Sequence, residues 1–310
     1  MKKYFRIIFL VIIVFAGISY LTLNYFIKNY LPYSAIRPNR ITKEQVLKNY
    51  EGLLTPASIG LSYSDFNITV EDSIKLIGWF INSQIKPSKG TIFLLHGIGS
   101  CKNAMLSTVN MFASEGFNCV CYDSRAQGES GGLNCTFGYY EKKDLSIYID
   151  SVTIKFPNSA PYAVFGHSLG AAIAIQAMAE DKRIVCGISE SPFANLRETI
   201  HDYFARITFF RISWISDEAM KYSEQIAHFN VDSVQPVLSA KKIFQPTMII
   251  HGSDDINISP KYGKEIFNNL SSIEKIWYPI LGANHDNLSY IGGSELNKKI
   301  INFFDKYLKE

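Results

Sequence analysis

An α/β architecture is predicted for this chain: a mostly parallel central sheet with helices on both faces, a helical cap insertion, and one transmembrane helix ahead of it. Three observations carry that prediction. Short, almost continuous apolar runs (TIFLLHG, FNCVCYD, YAVFG, VCGIS, TMIIHG, KIWYPI) alternate with helical stretches, as buried parallel strands do. The 310 residues are 47% hydrophobic and 19% charged, enough to bury one large core and unlike a disordered, collagen-like or disulfide-stapled chain. The segment IIFLVIIVFAGISYLTLNYFI, from Ile7 to Ile27, carries no charge.

That segment spans about 30 Å as a helix, the thickness of a bilayer's hydrocarbon core. Residues 1–50 hold eight Lys/Arg against Glu44 alone, a local +7, so the remaining 260 residues are net −4. A basic leader on a slightly acidic body points to a membrane and gives no support to nucleic-acid binding. A cleaved signal peptide has the same start, and Gly17 and Ser19 precede Tyr20 as a small-x-small pair. The apolar run nevertheless continues through Leu21, Leu23 and Phe26, with Tyr20, Tyr25 and Tyr30 suited to the interface, which favours an uncleaved single-pass anchor in the cell membrane. Lys2, Lys3 and Arg6 would hold the short N-terminus inside and the body outside, although Lys28, Arg37, Arg40 and Lys43 oppose that orientation.

The expected division is an anchor over 1–28, a lead-in over 29–59 and a body over 60–310. The prolines Pro32, Pro38 and Pro56 give the lead-in the look of a stalk or an amphipathic segment. The body opens with LSYSDFNITV and SIKLIGWFIN, an antiparallel pair turning at Glu71-Asp72. Strands over 91–97, 117–123, 162–166, 185–189, 247–252 and 275–280 then alternate with helices over 103–115, 140–156, 169–180, 260–270 and 294–308. The aromatic stretch of about 195–240 interrupts the alternation and reads as a cap. Of the five cysteines, Cys119, Cys121 and Cys186 read as buried thiols, whereas Cys101 and Cys135 lie in predicted loops and are open to bridging.

Chemistry in such a sheet sits at the carboxyl ends of the strands. Strand YAVFG runs into Gly166-His167-Ser168-Leu169-Gly170, a G-x-S-x-G at a strand-turn-helix junction, which marks Ser168 as a candidate nucleophile. A side chain at either glycine would collide with the neighbouring strand or helix, and Ala171, Ala172 and Ala174 let the helix lie close to the sheet. Serine needs a base, and the base needs an orienting acid. Among six histidines, His285 in Gly282-Ala283-Asn284-His285-Asp286 follows the last predicted strand and is the best base. Asp255 in HGSDDINISP is the preferred acid and completes the chain order Ser, Asp, His; Glu190, also at a strand's carboxyl end, is the alternative acid. Two backbone N–H donors for an oxyanion are expected at Leu169 and, after the strand TIFLLHG, at Ile98.

The motifs HGIGS, DSRAQGESGG, GHSLG, HGSDD and GANHD, in this order over residues 60–310, resemble the α/β-hydrolase superfamily and its small serine esterase, lipase and peptidase-like members. The resemblance implies Ser168 as nucleophile, Asp255 as acid, His285 as base, and Ile98 and Leu169 as oxyanion donors. Ala126 stands where that family's D-x-R-G-x-G-x-S loop usually has glycine, and Asp123 and Arg125 there read as structural.

No G-x-G-x-x-G follows an early strand, and there is no H-E-x-x-H, paired C-x-x-C or P-loop, so neither cofactor nor metal is implied. Tyr139 and Lys143 alone do not make a dehydrogenase. The expected activity is hydrolysis of a small-molecule or lipid-like acyl ester through an acyl-enzyme. The alternatives are an amide or thioester on the same residues, or a hydrolase fold that only binds.

Overall fold

The computed structural model describes residues 2–50 and 52–308. Among them, eight strands form one sheet: β1 (Tyr63–Asp65), β2 (Gly78–Ile81), β3 (Thr91–Leu95), β4 (Asn118–Tyr122), β5 (Tyr162–His167), β6 (Ile184–Glu190), β7 (Thr247–Gly252) and β8 (Lys275–Ile280), in the spatial order β1-β2-β4-β3-β5-β6-β7-β8. β2 runs antiparallel to β1 and β4, and every other neighbouring pair is parallel. The side-chain period of two splits the strands between two cores. Phe93, Leu95, Val120, Val164 and Ile249 face one, and Ile92, Leu94, Cys119, Phe165 and Ile250 face the other.

The helices are α1 (Lys2–Asn29), α2 (Leu31–Ile36), α3 (Lys43–Asn49), α4 (Leu106–Ser114), α5 (Glu141–Lys155), α6 (Leu169–Glu180), α7 (Leu196–Thr208), α8 (Ser213–Ala227), α9 (Pro236–Ala240), α10 (Pro260–Asn269) and α11 (Leu288–Tyr307). α5, α6 and α10 cover the first face, through Leu145, Ile173 and Ile266. α4 and α11 cover the second, through Val109 and Phe304. Strand order reverses around β3, so the loop after β3 and the loop after β5 meet where a crevice is expected.

Several sequence expectations change. The first antiparallel pair is broken: β1 pairs β2, while Ile68–Thr69 and Lys75–Leu76 form a separate two-stranded ribbon. The break falls at Gly78, where a Cβ would lie 2.4 Å from the Tyr148 hydroxyl and 2.6 Å from the Tyr122 Cβ. Residues 29–59 are not a free stalk. The Arg40 guanidinium donates to the carbonyls of Gly128, Ser130 and Gly132, and Asn103 Nδ2 donates to those of Leu53 and Leu54, so the segment is clamped to the body. The last helix starts at Leu288, six residues before its expected start, and bends at Gly293 (φ 53°). All five cysteines are free and buried, including Cys101 and Cys135.

α1 is the one helix among the described residues long and apolar enough to cross a membrane. Its first turns project with their apolar side chains exposed, while Ile27 in the last turn is 2% exposed. There α1 and α2 meet α8: Lys28 lies over the Tyr222 ring, and Ser223 Oγ donates to the Pro32 carbonyl at 3.2 Å. α8 belongs to the run between β6 and β7, which folds as α7, α8, a short turn at Val231–Ser233 and α9.

Candidate active site

Ser168 follows β5 and caps α6 with φ 55° and ψ −116°, a conformation that L-residues reach only under constraint. The constraint is visible on both sides. A Cβ at Gly166 would stand 2.3 Å from the Gly170 carbonyl oxygen, and one at Gly170 would stand 2.1 Å from that of Leu95. Only hydrogen at both positions lets α6 press this close to β3 and turn the serine outward. The Ser168 N–H donates to the Glu190 carbonyl at 2.8 Å, and Ser189 Oγ donates to the Ala171 carbonyl at 2.7 Å, tying the turn to β6.

His285 Nε2 lies 2.9 Å from Ser168 Oγ, and its Nδ1 lies 2.7 Å from Asp255 Oδ2. A carboxylate can only accept, so Nδ1 carries the proton and Nε2 presents its lone pair to the serine hydroxyl. All three side chains are buried. The other oxygen of Asp255 accepts the N–H groups of Asn257 (2.9 Å) and Ile258 (2.8 Å). Burial pushes the Asp255 carboxyl up, but the neighbouring His251 and His285 imidazoles and the Ile258 N–H outweigh it and hold the acid well below its ordinary range.

Glu190, the alternative acid, is also buried, but its carboxylate lies 3.7 Å from His167 Nδ1, while His285 faces Asp255. The reason is register: Glu190 pairs with His167 across β5 and β6, whereas Asp255 sits one strand further on, in the loop opposite the turn that carries His285. His167, His285 and Asp286 bring ligand-type atoms within 4.8 Å of one another, and because His285 is shared this cluster is part of the same site.

The loop after β3 approaches from the other side. A Cβ on Gly97 would sit 3.3 Å from the Ser168 Cβ, so the loop passes directly over the serine. His96, fully buried, accepts the Ser124 N–H at Nε2 (3.0 Å) and donates from Nδ1 to the Gly97 carbonyl (2.8 Å). Burial lowers its pKa and keeps it neutral, as that bonding requires. The Gly99 N–H donates to Gln127 Oε1 at 2.6 Å. Ile98, between these two anchors, and Leu169, at the start of α6, both line the cavity, and among the described residues neither N–H donates to a protein acceptor. Gln127 comes from the loop that also contains Asp123 and Arg125. Asp123 accepts from the buried Lys102 at both its N–H (2.6 Å) and Nζ (2.8 Å), and Arg125 grips Asp144 with two bonds. Ala126 sits at φ 63°.

Sequence reasoning missed two things. His251 Nε2 donates to the Ile258 carbonyl at 2.9 Å and lies 3.4 Å from Asp255 Oδ2, bracing the loop that carries the acid. The signal was the repeated His-Gly pair at a strand end, shared with His96-Gly97. The second is the extent of the cavity: about 1250 Å³, it runs from Ser168 beneath α7 and α8 to the last turns of α1.

A family model described as serine aminopeptidase, S33, matches residues 86–234. The chain is 29% identical over 172 residues to the uncharacterized protein YqkD of Bacillus subtilis (strain 168), covering 53% of this chain and 55% of that protein. It is 25% identical over 213 residues to the lysophosphatidylserine lipase ABHD12 of Xenopus tropicalis, covering 63% and 50%. The matched region thus spans about half the length of each of these two curated relatives. In three dimensions the chain is similar to the Pyrococcus furiosus esterase Pf2001, with a TM-score of 0.72 and 26% identity over 89% of this chain and 99% of that one. It also shares its fold with the Pyrococcus horikoshii acylaminoacyl peptidase (TM-score 0.62, 19% identity), covering 81% of this chain and 42% of that one.

Proposed function

We propose that this chain, which has the α/β-hydrolase fold, is a serine hydrolase of that superfamily in which Ser168 is the nucleophile, His285 the base and Asp255 the orienting acid. The observation that carries this reading is the hydrogen-bonded line from Ser168 Oγ through His285 to Asp255. His285 Nε2 takes the hydroxyl proton as Oγ attacks the acyl carbonyl, and Asp255 stabilises the imidazolium that forms. The Ile98 and Leu169 N–H groups receive the oxyanion, with the N-terminus of α6 adding a favourable field at Leu169. Collapse of the intermediate passes the proton from His285 to the leaving group and leaves an acyl-enzyme. Water, deprotonated by the same histidine, then releases the carboxylic acid and frees Ser168.

Carboxylic esters are the proposed substrates, since a Ser-His-Asp line cleaves them readily, and the largely apolar lining of the cavity beside Ser168, with Phe193, Ile215 and Met220, suits an apolar acyl group. The segment 1–28 is proposed as an uncleaved anchor in the cell membrane with the catalytic body, 60–310, on the outer side and a cap over about 195–240. A fluorophosphonate probe tests the nucleophile: it is expected to label the full chain and to leave Ser168→Ala unlabelled. Labelling that persists in Ser168→Ala, or none in either protein, overturns the reading. A panel of esters against matching amides and thioesters then separates the bond classes.

A further inference from the structure

The cavity does not end under the cap. Leu23 and Phe26 of α1 and Leu31 of α2 line the same space as Ser168, His285 and Ile98. A helix that served only as a tether would have no reason to contribute to the substrate cavity. At about 1250 Å³ the space exceeds what a drug-sized ligand needs and suits a long, flexible chain.

Where this wall stands matters. The charge-free run of α1 closes at Ile27, and Leu23 lies four residues earlier, about 6 Å along the helix axis. If that run occupies the hydrocarbon layer, Leu23 and Phe26 lie just inside its edge, at the depth where lipid acyl groups join their head groups. The cap side of the cavity also offers apolar surface: Tyr203 and Ile207 line it while being more than half exposed. The adjoining α7-α8 connection carries Phe209 (88% exposed), Phe210 (69%) and, at the start of α8, Trp214 (59%). Aromatic and aliphatic side chains left open on the cap are suited to a membrane interface.

We propose that the acyl chain of a membrane-resident ester enters the Ser168 cavity from the bilayer, along a wall that α1 itself supplies, so that α1 selects for long chains as well as anchoring the protein. This rests on Ser168 being the nucleophile. The contacts of Lys28 with Tyr222 and of Ser223 with Pro32 hold the end of α1 and its continuation against α8, keeping the wall in register with the cap.

The test uses the full chain in phosphatidylcholine vesicles and fluorophosphonates bearing ethyl, octyl, dodecyl or hexadecyl tails. In wild type the dodecyl probe is expected to label faster than the ethyl one. Leu23→Trp and Phe26→Trp narrow the wall and are expected to lower the dodecyl-to-ethyl ratio at least tenfold. Phe26→Ala widens it and is expected to move the fastest-labelling tail to greater length. The ethyl probe reports whether Ser168 remains reactive in each variant. A ratio and an optimum unmoved in all three variants, with ethyl labelling present, overturn the entry route alone. Absence of labelling by every tail in wild type overturns the serine reading beneath it.

Discussion

Replacing Asp255 by asparagine changes one atom type and leaves the shape intact, so its effect isolates the acid's role. The Asp255 Oδ1 accepts two backbone N–H groups, from Asn257 and Ile258. An asparagine there keeps its carbonyl on those two donors, because turning the amide over would leave buried N–H groups unsatisfied at about 1–3 kcal/mol each. The amide NH₂ then faces His285 Nδ1, which must offer a lone pair. The imidazole proton moves to Nε2, opposite Ser168 Oγ, where a base is needed. A wrong tautomer of this kind lowers kcat by on the order of 10⁴-fold. The assay is steady-state hydrolysis of a short p-nitrophenyl ester by Asp255→Asn, beside Glu190→Gln. The glutamine change, at a carboxylate that faces His167, is expected to lower activity by less than tenfold. Near-normal turnover in Asp255→Asn together with loss in Glu190→Gln would refute the assignment and make Glu190 the acid.

Gly170→Ala introduces a Cβ that would stand 2.1 Å from the Leu95 carbonyl oxygen, so α6 must move about 1 Å from β3; displacement of that size costs on the order of 10²-fold in rate and about 1–3 kcal/mol in stability, read by kcat/KM and thermal melting. Ala126 sits at φ 63°, and Ala126→Gly is expected to raise stability by up to about 1 kcal/mol, or about 2–4 °C in Tm. Burial lowers the pKa of His96, so the unfolded chain binds the extra proton below about pH 6.5; stability is full above that value and falls as pH drops through it. Melting temperatures from pH 7.5 to 5 are expected to show that slope in wild type and a shallower one in His96→Asn.

Much of the layout follows from short-range rules. Strands β7 and β8 and helix α6 lie where periodicity puts them, with the same end residues, because fully buried parallel strands and an alanine-rich helix leave little choice of boundary. The errors fall where a distant side chain intervenes. In the first hairpin the Gly78 N–H turns to the Asn67 side chain and the Phe66 carbonyl accepts from the Tyr148 hydroxyl of α5, and Arg40 binds carbonyls about ninety residues away, so that the lead-in, expected as a stalk or an amphipathic segment, is clamped to the body.

The division is sharpest at the site. The pattern Gly166-His167-Ser168-Leu169-Gly170 marks the strained serine turn locally, because the clash that excludes a Cβ at Gly166 acts against Gly170 within the strand-turn-helix junction, whereas the clash at Gly170 acts against Leu95 of β3 and needs the assembled sheet. Which carboxylate reaches His285 is another matter. Glu190 and Asp255 both lie at the carboxyl ends of strands, and although the sequence favours Asp255, nothing local to either residue fixes which one reaches His285. The register of β5, β6 and β7 decides: it leaves Glu190 beside His167 and brings Asp255 to within 2.7 Å of His285. The apolar run of α1 is likewise plain in the sequence, yet only packing against α2 and α8 turns its last turns into a wall of the Ser168 cavity. Local sterics and periodicity act over a few residues and are written into the chain; contacts across 100 or 200 residues exist only once the sheet has set the distances between its loops.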